Sequence, residues 1–118
     1  MELIKNPGFV ILGLCGFIFL ISGLIQLKFP PKDINSLYGY RTKSSMKSKE
    51  TWNFAQKYAA RISIRAGLIM IVLAIYSLMF PVISNDSQVW VSLAIIFISV
   101  GILIFLTEKK LKQNYYNK

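Results

Sequence analysis

The sequence YGYRTKSSMKSKETW, residues 38–52, decides the fold, because it is the long polar stretch between segments hydrophobic enough to cross a bilayer. It carries four basic residues and one acidic residue, Glu50. Apolar runs lie on either side of it, at 8–29, 66–83 and 89–107. A helix rises about 1.5 Å per residue, so each run covers roughly 27–33 Å, close to a hydrocarbon thickness of about 30 Å. The pattern predicts three transmembrane helices and an all-α fold.

A soluble helical domain is the alternative. Hydrophobic residues make up 54% of the 118 residues, and the second and third apolar runs contain no Asp, Glu, Lys or Arg. Helices that are apolar on every side would leave a soluble domain no solvated face. We therefore expect a single membrane domain over residues 1–118, a three-helix bundle with a loop at 30–65 and a basic tail at 108–118.

The basic residues predict an orientation. The net charge is +9, and of the 14 Lys and Arg residues all but Lys5 lie in or next to the loop 30–65 and the tail 108–118. The positive-inside rule then makes loop and tail cytoplasmic, with the N-terminus outside and the C-terminus inside. Attraction to anionic phospholipids, on the order of 1 kcal/mol per basic residue near the surface, accounts for the charge. Direct binding to nucleic acid is not expected, because no recognised nucleic-acid-binding motif accompanies it.

A further helix is predicted between the first two spans. Ser48 suits an N-cap, and apolar residues then recur three and four positions apart. These are Trp52, Ala55, Ala59 and Ile62. The pattern predicts a cytoplasmic amphipathic helix of about three turns that leads into the second span, with or without a bend. Trp52 and Tyr58 would anchor it at the membrane interface.

The residues just before this helix are candidates for an anion site. Arg41 offers a planar fork of donors, Thr42, Ser44 and Ser45 offer hydroxyls, and the helix N-terminus adds amide groups. Together they suit a lipid phosphate or a peptide carboxylate. A solvated turn in which the serines cap local backbone fits the same residues.

Arg61 and Arg65 are four residues apart and share a helix face where the helix meets the membrane. They are expected either to reach lipid phosphate and set the depth of the helix, or to help form a binding site beneath the loop.

Small residues occur in pairs seven positions apart, on one face of each predicted span. The pairs are Gly16 and Gly23, Gly67 and Ala74, and Ser92 and Ser99. Small residues allow close approach of helix backbones in lipid. They would serve either the bundle within one chain or a homo-oligomer, and the sequence leaves both open.

The loop contains the motifs Gly39-Tyr40-Arg41-Thr42, Ser45-Met46 and Glu50-Thr51-Trp52 followed by Ala55. They resemble the signature of the SdpI family of bacterial integral membrane proteins, here in a short three-span form. The resemblance implies a protein of the bacterial cytoplasmic membrane that confers immunity to, or senses, a secreted toxic peptide. It also implies a cytoplasmic repressor as a partner. The signature positions carried over are Gly39, Tyr40, Arg41, Thr42, Ser45 and Trp52.

Catalysis and metal binding have few candidate groups. The chain has no His, one cysteine in the first apolar run, and five acidic residues, none of them in a span. An acid–base pair or a transition-metal site is therefore not expected, and neither is an enzyme or a cofactor. A proton-coupled carrier would need an ionisable residue inside a span. The alternative to peptide immunity is a structural or lipid-binding membrane protein with no peptide ligand.

Overall fold

The computed structural model describes residues 5–35, 39–80 and 83–116. These residues form three α-helices, α1 (Pro7–Lys28), α2 (Lys49–Met79) and α3 (Asn85–Leu111), and a π-helical turn at Lys112–Tyr116. The described part of the chain contains no strand. All three helices are long and apolar enough to cross a membrane. The all-α class and the three membrane-spanning helices are thus confirmed, and the chain is a multi-pass membrane protein.

Local chemistry explains where α1 begins and ends. Asn6 is the N-cap, and its side-chain oxygen accepts a hydrogen bond of 3.1 Å from the Phe9 amide. Pro7 occupies the first turn, where its missing N–H costs nothing. The helix ends at Lys28, shortly before Pro30 and Pro31, which cannot continue a helical hydrogen-bond ladder.

A capping box starts α2. The Ser48 hydroxyl accepts from the Thr51 amide at 3.1 Å, and the Thr51 hydroxyl accepts from the Ser48 amide at 3.0 Å. The helix then runs for 31 residues, about 46 Å, without a break. The amphipathic segment and the second span therefore form one continuous helix, which is the form without a bend.

Glycines bring α1 and α2 together. A Cβ atom added to Gly16 would lie 2.9 Å from the Gly67 carbonyl oxygen, and one added to Gly67 would lie 2.6 Å from the Gly16 carbonyl oxygen. A Cβ atom on Gly23 would lie 2.8 Å from the Ala60 carbonyl oxygen. These glycines are thus used for packing inside one chain, where they permit backbone contact between the helices.

The third helix packs less extensively than the first two. The contact between α1 and α2 is the most extensive in the bundle, and α3 lies against both with smaller contacts. Large apolar side chains of α3 point outward, among them Trp90, Phe97 and Phe105. Such a surface is stable in lipid, where apolar side chains need no burial against protein.

Candidate functional site

The signature loop is held to the helices by one buried glutamine. Gln56 on α2 accepts a hydrogen bond of 2.6 Å from the Tyr40 amide and donates one of 2.7 Å to the Tyr40 carbonyl oxygen. Gln26 on α1 donates to the Gln56 side-chain oxygen at 3.0 Å. The Gln56 side chain is fully buried. A single amide group therefore joins α1, α2 and the loop.

Gly39 is required by this arrangement. Its φ of +100° is a conformation that glycine adopts without the steric cost that other residues meet. A Cβ atom at this position would also collide with the side-chain oxygen of Gln56 and lie 2.8 Å from Pro31 Cγ. The glycine of the signature therefore permits both the turn and the close approach of the loop to Gln56.

Trp52 lies inside the protein and not at the membrane interface. Its exposed fraction is 0%, and its indole nitrogen donates a hydrogen bond of 2.8 Å to the Pro31 carbonyl oxygen. The prediction of an interfacial anchor at Trp52 is therefore wrong, because the chain that leaves α1 folds back over the ring. Tyr58 is partly buried and stacks on Phe54 with ring centres 5.6 Å apart.

The hydroxyls of the signature surround a carboxylate from the same chain. Thr42 Oγ1 and the Tyr40 hydroxyl donate to Glu108 Oε2 on α3, at 2.8 and 2.7 Å. Burial of the Tyr40 phenol, with the hydrogen bond to Glu108, raises its pKa well above the usual value, which favours the protonated form that donates this bond. The loop hydroxyls therefore bind an anion, as predicted for Thr42, and that anion is the Glu108 carboxylate.

Ser45 organises the turn that precedes α2. Its buried hydroxyl accepts from the Thr42 amide at 2.9 Å and donates to the Thr42 carbonyl oxygen at 2.9 Å. The Thr51 hydroxyl donates to the Ser45 carbonyl oxygen at 3.0 Å. Ser45 thus caps local backbone, as one alternative predicted, but its side chain is buried and not solvated.

The C-terminal segment covers the loop from the other side. The Tyr116 hydroxyl donates to the Ser44 carbonyl oxygen at 2.8 Å, and Lys47 Nζ lies 4.8 Å from the centre of the Tyr116 ring. Leu111 is fully buried, and Tyr115 meets Phe54 edge-on. Composition alone predicts only a basic segment here. The spacing of Glu108, Leu111 and Tyr115 by three and four positions is the signal that could have revealed its packing face.

The arginines lie at the surface of this unit. Arg41 is exposed at the rim of the loop, beside the buried Tyr40. Arg61 and Arg65 are exposed on α2, one turn apart, and are not part of the hydrogen-bond network around Gln56 and Glu108. The structure thus brings Gly39, Tyr40, Thr42, Ser45 and Trp52 into one unit with Arg41 at its edge and the other two arginines outside it.

Comparisons with known proteins agree on this region. The family model described as the SdpI/YfhL protein family matches residues 32–107. The chain is 36% identical over 98 residues to the uncharacterized protein YfhL of Bacillus subtilis (strain 168). The aligned residues make up 82% of this chain and 82% of that protein. No solved structure matches the chain.

Proposed function

The chain belongs to the SdpI/YfhL protein family, and from this premise we propose that it confers immunity to, or senses, a secreted toxic peptide. The observation that carries the proposal is the construction of the signature loop. Gln56 fixes its backbone, Glu108 binds its hydroxyls, and Arg41 is presented at its rim. A loop that only binds lipid needs charge and aromatic rings but no such fixed geometry.

The orientation in the membrane is part of this proposal. With the N-terminus outside, the signature loop and the C-terminal segment face the cytoplasm, as the excess of basic residues favours. The secreted peptide then meets the opposite end of the bundle or its membrane-embedded faces. The loop would be the part that a cytoplasmic repressor contacts, which is the partner that the family resemblance implies.

Arg41 is the residue on which the proposal depends most. A guanidinium offers two parallel donors to a carboxylate or phosphate, and lysine offers only a point charge. Because the backbone at Gly39 and Tyr40 is fixed, the Cα atom of Arg41 is held close to one position at the rim. This is the arrangement expected for recognition of one partner group.

The test is a protection assay in cells. A strain lacking the gene is grown beside its toxin-secreting parent and carries either the wild-type gene or the Arg41→Lys variant. Protection in this proposal requires the loop to recognise its cytoplasmic partner. We therefore expect Arg41→Lys to lose protection by roughly ten- to a hundredfold, because a charge-assisted hydrogen bond is worth about 1.5–3 kcal/mol. Lys43→Arg is the matched control, since it also keeps the charge of an exposed loop residue. Equal membrane levels of the three proteins are checked by immunoblot.

The second candidate function is lipid binding without a peptide ligand, and the exposed Arg61 and Arg65 on α2 favour it. In that case Arg41→Lys is silent, and joint replacement of Lys43, Lys47 and Lys49 by Gln weakens binding to anionic vesicles. Full protection by Arg41→Lys together with this vesicle result would reject specific recognition by the signature loop.

A further inference from the structure

Arg61 and Arg65 lie beside the middle of α1. Ser63, between the two arginines on α2, donates a hydrogen bond of 2.8 Å to the Phe19 carbonyl oxygen. Phe19 lies nine residues before the end of α1 at Lys28, which corresponds to about 14 Å of helix. Because α2 runs antiparallel to α1, Arg61 lies roughly 11 Å and Arg65 roughly 17 Å from the loop-side end of α1, measured along the helix.

The other two helices are apolar at this depth. Ile18, nearly level with Arg65, is 60% exposed on α1. On α3 the charge-free run 89–107 extends to Glu108, which binds the loop. Large exposed apolar side chains are stable in lipid and unfavourable in water. A bilayer that covers α1 and α3 up to the loop therefore also surrounds Arg61 and Arg65.

The charged part of α2 overlaps the apolar part of α1 in depth. The charge-free sequence of α2 starts only at Ala66, while that of α1 continues to Leu27. Lys57, Arg61 and Arg65 follow one another every four residues, and all three are exposed. Positions four apart are neighbours on a helix surface. A row of cations on α2 therefore leads from the headgroup level into the hydrocarbon.

The sequence supplies no carboxylate inside the three apolar runs. The acidic residues, all outside these runs, are Glu2, Asp33, Glu50, Asp86 and Glu108. Within the described part of the chain, neither Arg61 nor Arg65 forms a salt bridge or a hydrogen bond. Arginine keeps its charge in proteins, and charged groups inside a membrane are rarely left unpaired. A second copy of the chain would bring no carboxylate to this depth either, so the counter-charge comes from the surroundings.

The two arginine side chains lean toward the nearer headgroups. Side chains on an α-helix are tilted toward its N-terminus, and the N-terminus of α2 is its loop-side end. The Arg61 guanidinium therefore approaches the headgroup level. The Arg65 side chain is much shorter than the roughly 17 Å between its backbone and the end of α1. A headgroup must therefore descend below its usual plane to meet Arg65.

We propose that Arg61 and Arg65 bind the phosphodiester group of a phospholipid below the headgroup plane of the loop-side leaflet, which is thinner beside α2 than beside α1 and α3. Guanidinium groups offer parallel donors that match phosphate oxygens. A bilayer becomes thinner where it meets a shorter apolar length, which is the case along α2. The inference depends neither on the proposed function nor on which side of the membrane the loop faces.

The test measures contact between Arg65 and lipid phosphorus by solid-state NMR. The protein carries ¹³C at the arginine Cζ atoms and the substitutions Arg41→Lys and Arg61→Lys, which leave Arg65 as the labelled arginine. In phosphatidylglycerol bilayers we expect recoupling to ³¹P to remove most of the Cζ signal, because the guanidinium and the phosphate are in direct contact. The control uses bilayers of a phosphorus-free galactolipid with inorganic phosphate in the buffer. There the signal should be retained, because free phosphate does not enter hydrocarbon.

A spin label measures the depth independently. It is attached at Ile18→Cys in a Cys15→Ala background, since Ile18 is exposed at nearly the same depth as Arg65. We expect this label to collide more with dissolved oxygen than with a water-soluble nickel chelate, as a label in hydrocarbon does. A label at Lys109→Cys, exposed at the loop-side end of α3, is the matched control and should show the opposite preference.

Loss of the Arg65 signal together with a hydrocarbon environment at Ile18 supports the inference. An Arg65 signal that ³¹P leaves unchanged in phosphatidylglycerol would overturn it. Equal signal loss with free phosphate would show a site open to water, and access of the nickel chelate to Ile18 would show that the bundle lies less deeply in the bilayer. Either result would also overturn the inference, and none of these outcomes bears on peptide immunity, which the protection assay tests separately.

Discussion

At the scale of single residues, burial decides whether a substitution tests recognition of a partner or the stability of the fold. Trp52 looks like a binding residue in the signature, but its ring is covered by the chain at Pro31. Replacing it with alanine would remove a buried aromatic side chain at a cost of about 3–5 kcal/mol, so loss of function would reflect lost folding. Arg41 is exposed and Gln56 is buried, so the first is suited to tests of recognition and the second to tests of stability.

The first prediction at this scale concerns Gln56→Leu. Leucine has a similar volume but leaves the Tyr40 amide without a partner, at about 1–3 kcal/mol, and the Tyr40 carbonyl oxygen with the Ser45 hydroxyl alone, at about 0.5–1.5 kcal/mol for the lost bond. We expect the free energy of unfolding to fall by roughly 1.5–4.5 kcal/mol, measured by thermal or denaturant unfolding in detergent micelles. Gln113→Leu changes an exposed glutamine in the same way and should stay within about 0.5 kcal/mol of the wild type. Equal losses in the two variants would contradict the role given to Gln56.

At the scale of elements, the loop and the C-terminal end of α3 stabilise each other. The sequence predicted anion-binding hydroxyls at Thr42, and the chemistry is present. The anion is Glu108, which is 66 positions further along the chain. Local pattern cannot reveal such a contact, because it depends on how α3 packs against α2. The N-cap at Ser48, by contrast, depends on neighbouring residues alone and was predictable from them.

Glu108→Leu should release the loop. The substitution removes the acceptor of the Tyr40 and Thr42 hydroxyls, at about 1.5–3 kcal/mol for a hydrogen bond to a charged group. Cleavage by trypsin at Arg41 and Lys43 should then accelerate by roughly ten- to a hundredfold in nanodiscs, since it follows the population of the open loop.

Glu50→Leu is the control for that experiment, because Glu50 is an exposed acidic residue at the start of α2. Its loss should change the cleavage rate by less than about threefold, the size of a helix-dipole effect. A Glu108→Leu variant cleaved no faster than Glu50→Leu would show that the carboxylate does not hold the loop.

At the scale of the whole molecule, the bundle consists of a tight pair, α1 with α2, and a looser third helix. Hydropathy alone predicted the three spans, because length and composition are sufficient for that. The partners of the small residues were not predictable, since a glycine face fits another helix of the same chain or of a second copy. The structure uses Gly16, Gly23 and Gly67 within the chain. A homo-oligomer stays a prediction and would have to use other surfaces, such as the outward face of α3.

Gly16→Leu tests whether this glycine packs within the chain or between chains. The added side chain would separate α1 from α2 at the Gly67 backbone, so we expect a fall in melting temperature of roughly 10 °C or more in detergent. Gly101→Leu adds the same hydropathy at a position where an added Cβ atom meets nothing within 4 Å, and should leave the melting temperature unchanged. A stable Gly16→Leu protein whose oligomer dissociates would instead place this glycine between chains.

The unbroken course of α2 has a mechanical consequence. Tyr76 lies near one end of this helix, and Gln56, near the other end, holds the loop. Gln56 lies 20 residues, about 30 Å, from Tyr76, so a tilt of the helix by about 5° around Tyr76 moves Gln56 by roughly 2.6 Å. That displacement exceeds the reach of the hydrogen bonds at Tyr40. A change in helix packing on one side of the bilayer would therefore loosen the loop on the other side.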